Sequence, residues 1–143
     1  MMVCLWMMAG CSALDSKATS KGKKSPLGQV KQEVPPPPVY SDFMDVLIPG
    51  ELTEDKRQSS VTQQGDSAMG FMSYYGRVEE RSVIYFFTVK MPENGWKAVT
   101  MQKSPFSTIM IFSKGKRWCT INIKEKGFNT EVQIGVAPEI EKE

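Results

Sequence analysis

The fold is decided by residues 78–95, which read VEERSVIYFFTVKMPENG. Val83, Phe87 and Met91 recur there at spacing i, i+4, i+8, which places apolar side chains on one face of a helix. The pattern predicts an amphipathic helix from about Val78 to Met91. Because such a helix has a single apolar stripe, the stripe must be buried against another element of the fold.

The two ends of this helix are also marked in the sequence. Glu79 and Glu80 fall in the first turn and Lys90 in the last, which suits the helix dipole. Pro92 has no N–H to donate, so it is expected to stop the helix, and Gly95 supplies the positive φ that the exit of the chain requires.

After Gly95 the apolar period changes from that of a helix to that of strands with one buried face. Because a single helix can cover one face of an antiparallel sheet, we predict an α+β fold over residues 42–138. One amphipathic helix would pack on a curled, mainly antiparallel sheet of about five to six strands, as two layers. The expected strands are Ser59–Thr62 and Met69–Gly76 before the helix, and Trp96–Met101, Ser107–Ser113, Trp118–Lys124 and Thr130–Val136 after it.

Alternation along the strands predicts which side chains meet the helix. The sequence Lys114-Gly115-Lys116 predicts a tight hairpin between two of these strands. Cys119 alternates with isoleucines, which favours a buried small hydrophobic residue over a reactive thiol. The residues expected to contact the apolar stripe are Ile109, Ile111, Ile121, Ile123, Val132 and Ile134.

The composition is that of one ordinary domain with tails. The chain has 143 residues, of which 41% are hydrophobic and 24% charged. The net charge of +2, without a recognisable binding motif, gives no reason to expect nucleic acid as a partner. The chain contains no histidine, which removes the commonest general base and metal ligand. We expect a protein that is not an enzyme and that uses neither a cofactor nor a metal ion.

Residues 1–10 carry no charge and end in two small residues, as a signal peptide does ahead of its cleavage site. The motif Met8-Ala9-Gly10-Cys11 resembles the lipobox of bacterial lipoproteins, with Met8 where leucine is usual. The resemblance implies cleavage between Gly10 and Cys11, a diacylglyceryl thioether on the Cys11 sulfur and an acylated amine. The run lacks the Lys or Arg that normally begins a signal peptide. Either the natural start lies upstream of Met1, or the run is not a signal.

Residues 11–41 would join this lipid anchor to the domain. They contain five lysines, with Ser, Thr, Gly and Gln between them, and four consecutive prolines, Pro35 to Pro38. We expect a disordered spacer that ends in a stiff polyproline II segment. Alternative roles are binding of a proline-recognising partner, or contact of the lysines with anionic lipid headgroups. Residues 139–143 form a charged tail.

A second resemblance lies in the domain itself. The element Met91-Pro92-x-x-Gly95-Trp96, a hairpin at Lys114-Gly115 and a strand carrying Cys119 resemble a domain of uncharacterised lipoproteins of Gram-negative bacteria. The likeness covers about residues 49–138, and its most specific part is the Met-Pro-x-x-Gly-Trp element. It implies an envelope lipoprotein with a helix-on-sheet fold, and it implies no activity.

We therefore expect a lipid-anchored envelope protein that binds or supports another envelope component, a protein, through its α+β domain. Tyr74 and Trp118 are the candidate interface residues. Ser12 stands where an aspartate would signal retention in the inner membrane of many proteobacteria, so the outer membrane, facing the periplasm, is the expected location. The alternatives are a periplasmic module that binds a small molecule or lipid, and an accessory subunit of a secretion or pilus assembly.

Overall fold

The computed structural model describes residues 33–140. The chain separates into two units, residues 1–32 and 33–143, and the predicted signal peptide and the lipidation site at Cys11 lie outside the described residues. The elements seen over residues 33–140 are β1 (Val39–Tyr40), β2 (Leu47–Ile48), β3 (Thr53–Glu54), a 3-10 helix (Lys56–Gln58), β4 (Ser60–Gln64), β5 (Ser67–Gly76), α1 (Glu80–Glu93), β6 (Lys97–Lys103), β7 (Thr108–Lys114), β8 (Arg117–Lys126) and β9 (Asn129–Pro138).

The strands form one large sheet and one small one. Seven strands pair in the order β3-β5-β9-β8-β7-β6, and β4 pairs with the same strand β5 as β3 does. A separate two-stranded sheet joins β1 and β2. Every pairing is antiparallel, so the α+β class and the antiparallel sheet are confirmed. The predicted count of about five to six strands was too low. The missed strands β1, β2 and β3 have two residues each, which is too short for an alternating pattern.

Helix α1 begins at Glu80 and ends at Glu93, two residues later than predicted at each end. It begins there because Glu79 is extended, with ψ 133°. Pro92 lies inside the last turn, so the prediction that it stops the helix was wrong. The helix ends instead in a Schellman motif, in which the Gly95 N–H bonds to the Pro92 carbonyl at 3.0 Å and the Trp96 N–H to the Met91 carbonyl at 3.1 Å. Gly95 has φ +83°, as predicted from its position.

The core lies between α1 and one face of the large sheet. Val83, Phe87 and Met91 are buried, as the helical spacing predicts. The residues of β8 and β9 that were predicted to face the helix are confirmed as buried, namely Cys119, Ile121, Ile123, Val132 and Ile134, and Val136 is buried with them.

The facing of β7 was predicted wrongly. Ile109 and Ile111 are not in the buried core, whereas Met110 and Phe112 are. The register explains this, because Met110 lies opposite Ile121 and residues directly opposite in an antiparallel pair share a face. Both alternating sets of β7 contain large apolar residues, so period two alone does not choose between them.

The segment ahead of β3 is part of the domain. Phe43, Val46 and Ile48 join the buried core, and Val39 and Tyr40, assigned to the spacer from sequence, form strand β1. A side chain at Gly50 would collide with the backbone oxygens of the proline run, those of Pro36 and Pro37. The end of the proline run therefore packs against Gly50. Over the described residues, no helix is long and apolar enough to cross a membrane.

Candidate functional site on the outer face of the sheet

One side of the large sheet is covered by α1. The opposite side, here called the outer face, is exposed at Trp118 and Thr120, whereas Ser73 and Glu131 on the same side are buried. Alternation in β8 defines it, because Cys119 and Ile121 are buried while Trp118 and Thr120 are exposed. The cross-strand register then assigns the neighbouring positions to the same face. They are Ile109, Ile111, Asn122, Lys124, Glu131, Gln133, Gly135, Phe71, Ser73 and Tyr75.

Three aromatic side chains of the outer face, here called the aromatic patch, remain exposed to solvent. Trp118 is 39% exposed, Phe71 41% and Tyr75 48%. Gly135 lies opposite both Phe71 and Thr120, and a Cβ at Gly135 would be 3.8 Å from the Phe71 ring. The glycine thus leaves the Phe71 ring lying close to the sheet backbone. Trp118 and Phe71 are separated by two strand spacings, about 10 Å across the sheet.

Polar side chains continue the outer face beside the aromatic patch. Gln133 links two neighbours, since its Nε2 donates to Glu131 Oε1 at 3.2 Å and its Oε1 accepts from Lys124 Nζ at 3.4 Å. Lys126 forms an ion pair with Glu131. The Asn122 amide oxygen is buried and accepts no hydrogen bond from the described residues. An unsatisfied buried acceptor costs free energy in the folded chain.

The two predicted interface residues lie on opposite sides of the sheet. Trp118 is on the outer face, whereas Tyr74 is on the core side and only 5% exposed. The Tyr74 hydroxyl donates to the Met72 sulfur at 3.3 Å. Burial, together with the charges of nearby carboxylates, raises the pKa of Tyr74 well above its usual range. The prediction for Tyr74 was therefore wrong, because alternation along β5 turns its side chain inward.

Sequence reasoning did not select Phe71 as an interface residue. Alternation along β5 places Phe71 and Tyr75 on one face, but which face this is depends on the strand pairing. The observed register, with Tyr75 opposite Glu131 and Phe71 opposite Gly135, puts them beside the outward residues of β9. The pairing of β5 with β9 therefore had to be known before Phe71 and Tyr75 could be assigned to the same face as Trp118.

Cys119 is fully buried, as predicted. Burial raises the pKa of its thiol to about 12, with a further rise from the Asp45 charge and an opposing effect of Arg117. The thiol therefore stays protonated at neutral pH. Since the thiolate is the nucleophile, this cysteine has little reactivity in the folded chain.

A polar cleft of about 220 Å³ adjoins the outer face, lined in part by Asp55, Ser73, Tyr75 and Glu131. Both carboxylates of the cleft have local partners. Asp55 accepts hydrogen bonds from the Gln58 amide at 2.9 Å and the Arg57 N–H at 3.1 Å, which lower the pKa of its carboxyl group. Glu131 is held by Gln133 and Lys126, as described above. The carboxylates therefore help to fix the local backbone and the sheet face.

A second charged group lies where the β7–β8 turn meets the end of α1. Asp45 Oδ2 accepts bonds of 2.9 Å from both Lys114 Nζ and Arg117 Nη1. Both cations lie over the Trp96 ring, at 5.8 and 5.3 Å from its centroid. The Trp96 indole N–H donates to the Asp45 carbonyl oxygen at 3.0 Å. This group holds the hairpin next to the aromatic patch, because Trp118 follows Arg117 directly.

Five surface grooves of the described domain have volumes between about 60 and about 270 Å³. Small-molecule pockets usually have about 300–1,000 Å³. The groove beside Phe86 of α1 has about 60 Å³. Among residues 33–140, no three His, Cys, Asp or Glu side chains are placed to share a metal ion.

Comparison of the chain with protein-family models, with curated proteins and with solved structures finds no match. The lipobox and the resemblance of the domain to envelope lipoproteins therefore rest on the motifs in the sequence. The function has to be argued from the surface of the domain.

Proposed function

We propose that the chain is a lipid-anchored protein of the bacterial envelope whose domain binds another envelope protein through the outer face of the sheet. The observation that supports this most is the exposed Trp118 on that face. Tryptophan is enriched among the few residues that supply most of the binding energy in protein interfaces. Phe71 and Tyr75, two strands away on the same face, are also exposed aromatic residues.

The surroundings of the aromatic patch suit a protein partner. Thr120 is exposed two residues after Trp118 on the same strand, and the polar side chains of Lys124 and Gln133 lie further along the same face. An apolar centre surrounded by polar groups is the usual anatomy of a protein interface. In this proposal the helix and a curled sheet form two layers, so that the outer face is left for the partner.

The proposed anchor is Cys11, acylated after cleavage at Gly10. Two or more acyl chains give stable membrane attachment, so the domain itself does not need to bind lipid. The spacer up to about Pro35 would set the distance between membrane and domain, on the periplasmic side of the outer membrane. The small volumes of the grooves do not favour the alternative of a small-molecule module.

The test is crosslinking in intact cells of the native host. A photoreactive residue replaces Thr120 on the outer face, and in a second strain it replaces Tyr85, which is exposed on α1. We expect adducts to an envelope protein at position 120 and not at position 85. The change Trp118→Ala should lower the adduct yield about tenfold or more, in line with the loss of an interface anchor.

Phe128→Ala is the matched control, because Phe128 is an exposed aromatic residue in the β8–β9 turn. It should leave the adduct yield at position 120 unchanged. Equal adducts from positions 120 and 85, or a yield that does not respond to Trp118→Ala, would overturn the assignment of the outer face.

A further inference from the structure

Strand β6 forms one edge of the large sheet. Within residues 33–140 it pairs with β7 alone, and all seven of its residues are exposed. The pairing shifts register between Ala98 and Thr100 and is regular from Thr100 to Lys103. One side of this segment therefore offers unpaired backbone groups, to which an extended peptide can add as a further strand.

An apolar groove of about 140 Å³ runs between this edge and α1. Val99 and Met101 are 50% and 51% exposed at the edge, although both are large and apolar. A cavity of about 150 Å³ can hold a benzene-sized group, so the groove has room for one apolar side chain. The residues that line it are Thr88, Ala98, Val99, Thr100, Met101, Met110 and Phe112.

The exposed charged residues at the two ends of β6 are basic. Lys97 and Lys103 stand at the two ends of β6, and Arg81 is seven residues before Thr88, which places it on the same face of α1. All three basic side chains are exposed, and no ion pair is seen for them within the described domain. Glu80, the acidic residue next to Arg81, accepts a hydrogen bond of 2.7 Å from Thr108.

This charge pattern disfavours a second copy of the chain at the edge. An antiparallel pair of β6 strands centred on Thr100 would place Lys97 of each copy opposite Lys103 of the other. Like charges that lie directly opposite each other destabilise a strand pair. The same two lysines attract acidic residues at both ends of an added strand.

We propose that the β6 edge docks an extended protein segment that places one apolar side chain in the groove and carries acidic residues at both ends. The choice of a protein segment as the ligand rests on the proposed protein-binding function. The β6 edge is a different surface from the aromatic patch. The backbone of the segment pairs with Thr100–Lys103, and its acidic ends lie near Lys97, Lys103 and Arg81.

The probe is a synthetic peptide, acetyl-EEVTLTVEE-amide, added to the isotope-labelled full chain while backbone amide shifts are recorded by NMR. We expect the largest shift changes in Thr100–Lys103 and around Thr88, and weaker binding at higher salt. Two control peptides replace every glutamate by lysine or the three apolar residues by serine. Each control should bind at least about tenfold more weakly.

The variant Lys97→Glu/Lys103→Glu should weaken binding of the acidic peptide about tenfold and improve binding of the lysine peptide. Met101→Glu should also weaken it, by placing a charge in the groove. The control is Gln64→Glu on β4, at the exposed other edge of the sheet, which should change the affinity less than about twofold. If Met101→Glu does not fold, the test relies on Lys97→Glu/Lys103→Glu. Both lysines are exposed, so their replacement should leave the fold intact.

Three results would overturn the assignment. One is an affinity that does not differ between acidic and basic peptides. Another is a set of shift changes confined to the surroundings of Trp118, which would leave the outer face as the docking surface. The last is a concentration-dependent dimer whose dissociation constant changes in Lys97→Glu/Lys103→Glu. Such a result would show that a second copy of the chain binds the β6 edge. If the peptide binds at β6 while Trp118→Ala leaves the crosslinking yield at position 120 unchanged, the β6 edge is supported and the outer-face proposal is contradicted.

Discussion

Asp45 lies 72 positions before Arg117 in the chain, and its Oδ2 accepts a hydrogen bond of 2.9 Å from the Arg117 guanidinium group. Arg117 also donates to the Ala68 carbonyl at 3.1 Å, so one side chain connects the leading segment to β5. Trp118 follows Arg117 and points to the other face of the sheet. The hydrogen bonds of Arg117 to Asp45 and Ala68 on the core side therefore help to fix the position of Trp118 on the outer face.

The first prediction concerns Asp45→Asn, which leaves Lys114 and Arg117 without their shared carboxylate. Loss of one partner from a buried pair costs about 3–5 kcal/mol, and Asp45 is partly accessible to solvent, so we expect a loss of about 1–3 kcal/mol in the free energy of unfolding. Urea titration measures it. Asp66→Asn, in the exposed β4–β5 turn, should change the free energy by less than about 0.5 kcal/mol. Equal losses in both variants would show that the Asp45 group is not a structural anchor.

The second prediction concerns Phe87→Ala in the centre of the helix stripe. Phe87 is fully buried, and its ring packs edge-to-face against Phe86 with centroids 5.5 Å apart. Truncation should lower the free energy of unfolding by about 3–5 kcal/mol, because a cavity remains in the core. Tyr85→Ala, on the exposed flank of the same helix, is the control and should cost less than about 1 kcal/mol. A loss below about 1 kcal/mol for Phe87→Ala would contradict the packing described for α1.

The sequence was sufficient to place α1, β8 and β9, because in each of them most of the apolar residues recur on one face with a clear period. It was insufficient for β7, where Ile109 and Met110 are both large and apolar and only the register with β8 decides which is buried. It was also insufficient at Pro92, because the Gly95 cap determines the end of the helix. For the outer face, Trp118 followed from alternation, whereas Tyr74 was misplaced and Phe71 depended on pairing between strands distant in sequence.

The third prediction concerns stability at alkaline pH. Burial raises the pKa of Cys119 from 9.0 to about 12, so between these values the folded chain keeps a proton that the unfolded chain loses. The free energy of unfolding should therefore fall as the pH rises from about 9 towards 12. Below about pH 9 the thiol is protonated in both states, so Cys119 should cause no pH dependence there. Replacing the thiol by Cys119→Val should make the fall less steep, as measured by urea titration at several pH values. Identical pH profiles for the two chains would contradict the buried protonated thiol.

The fourth prediction concerns Gly50, which lies against the proline run. Gly50→Ala places a methyl group against the Pro36 and Pro37 carbonyl oxygens, so the run must move away from the domain. We expect faster cleavage by chymotrypsin after Tyr40, the residue that ends β1. Gly135→Ala is the control, because its added Cβ would meet the nearest side-chain atom at 3.8 Å, an ordinary contact. Cleavage rates that match the unchanged chain would show that the proline run does not need this glycine.

The measurement that tests the proposed lipid anchor most directly is the intact mass of the protein extracted with detergent from its native host. The account predicts a chain that begins at Cys11, with a diacylglyceryl group on its sulfur and an acyl group on its amine. That mass would place the domain in the envelope, where the crosslinking experiment can identify its partner. The mass of an uncut, unmodified chain that still begins at Met1 would contradict the lipid anchor and the envelope location together.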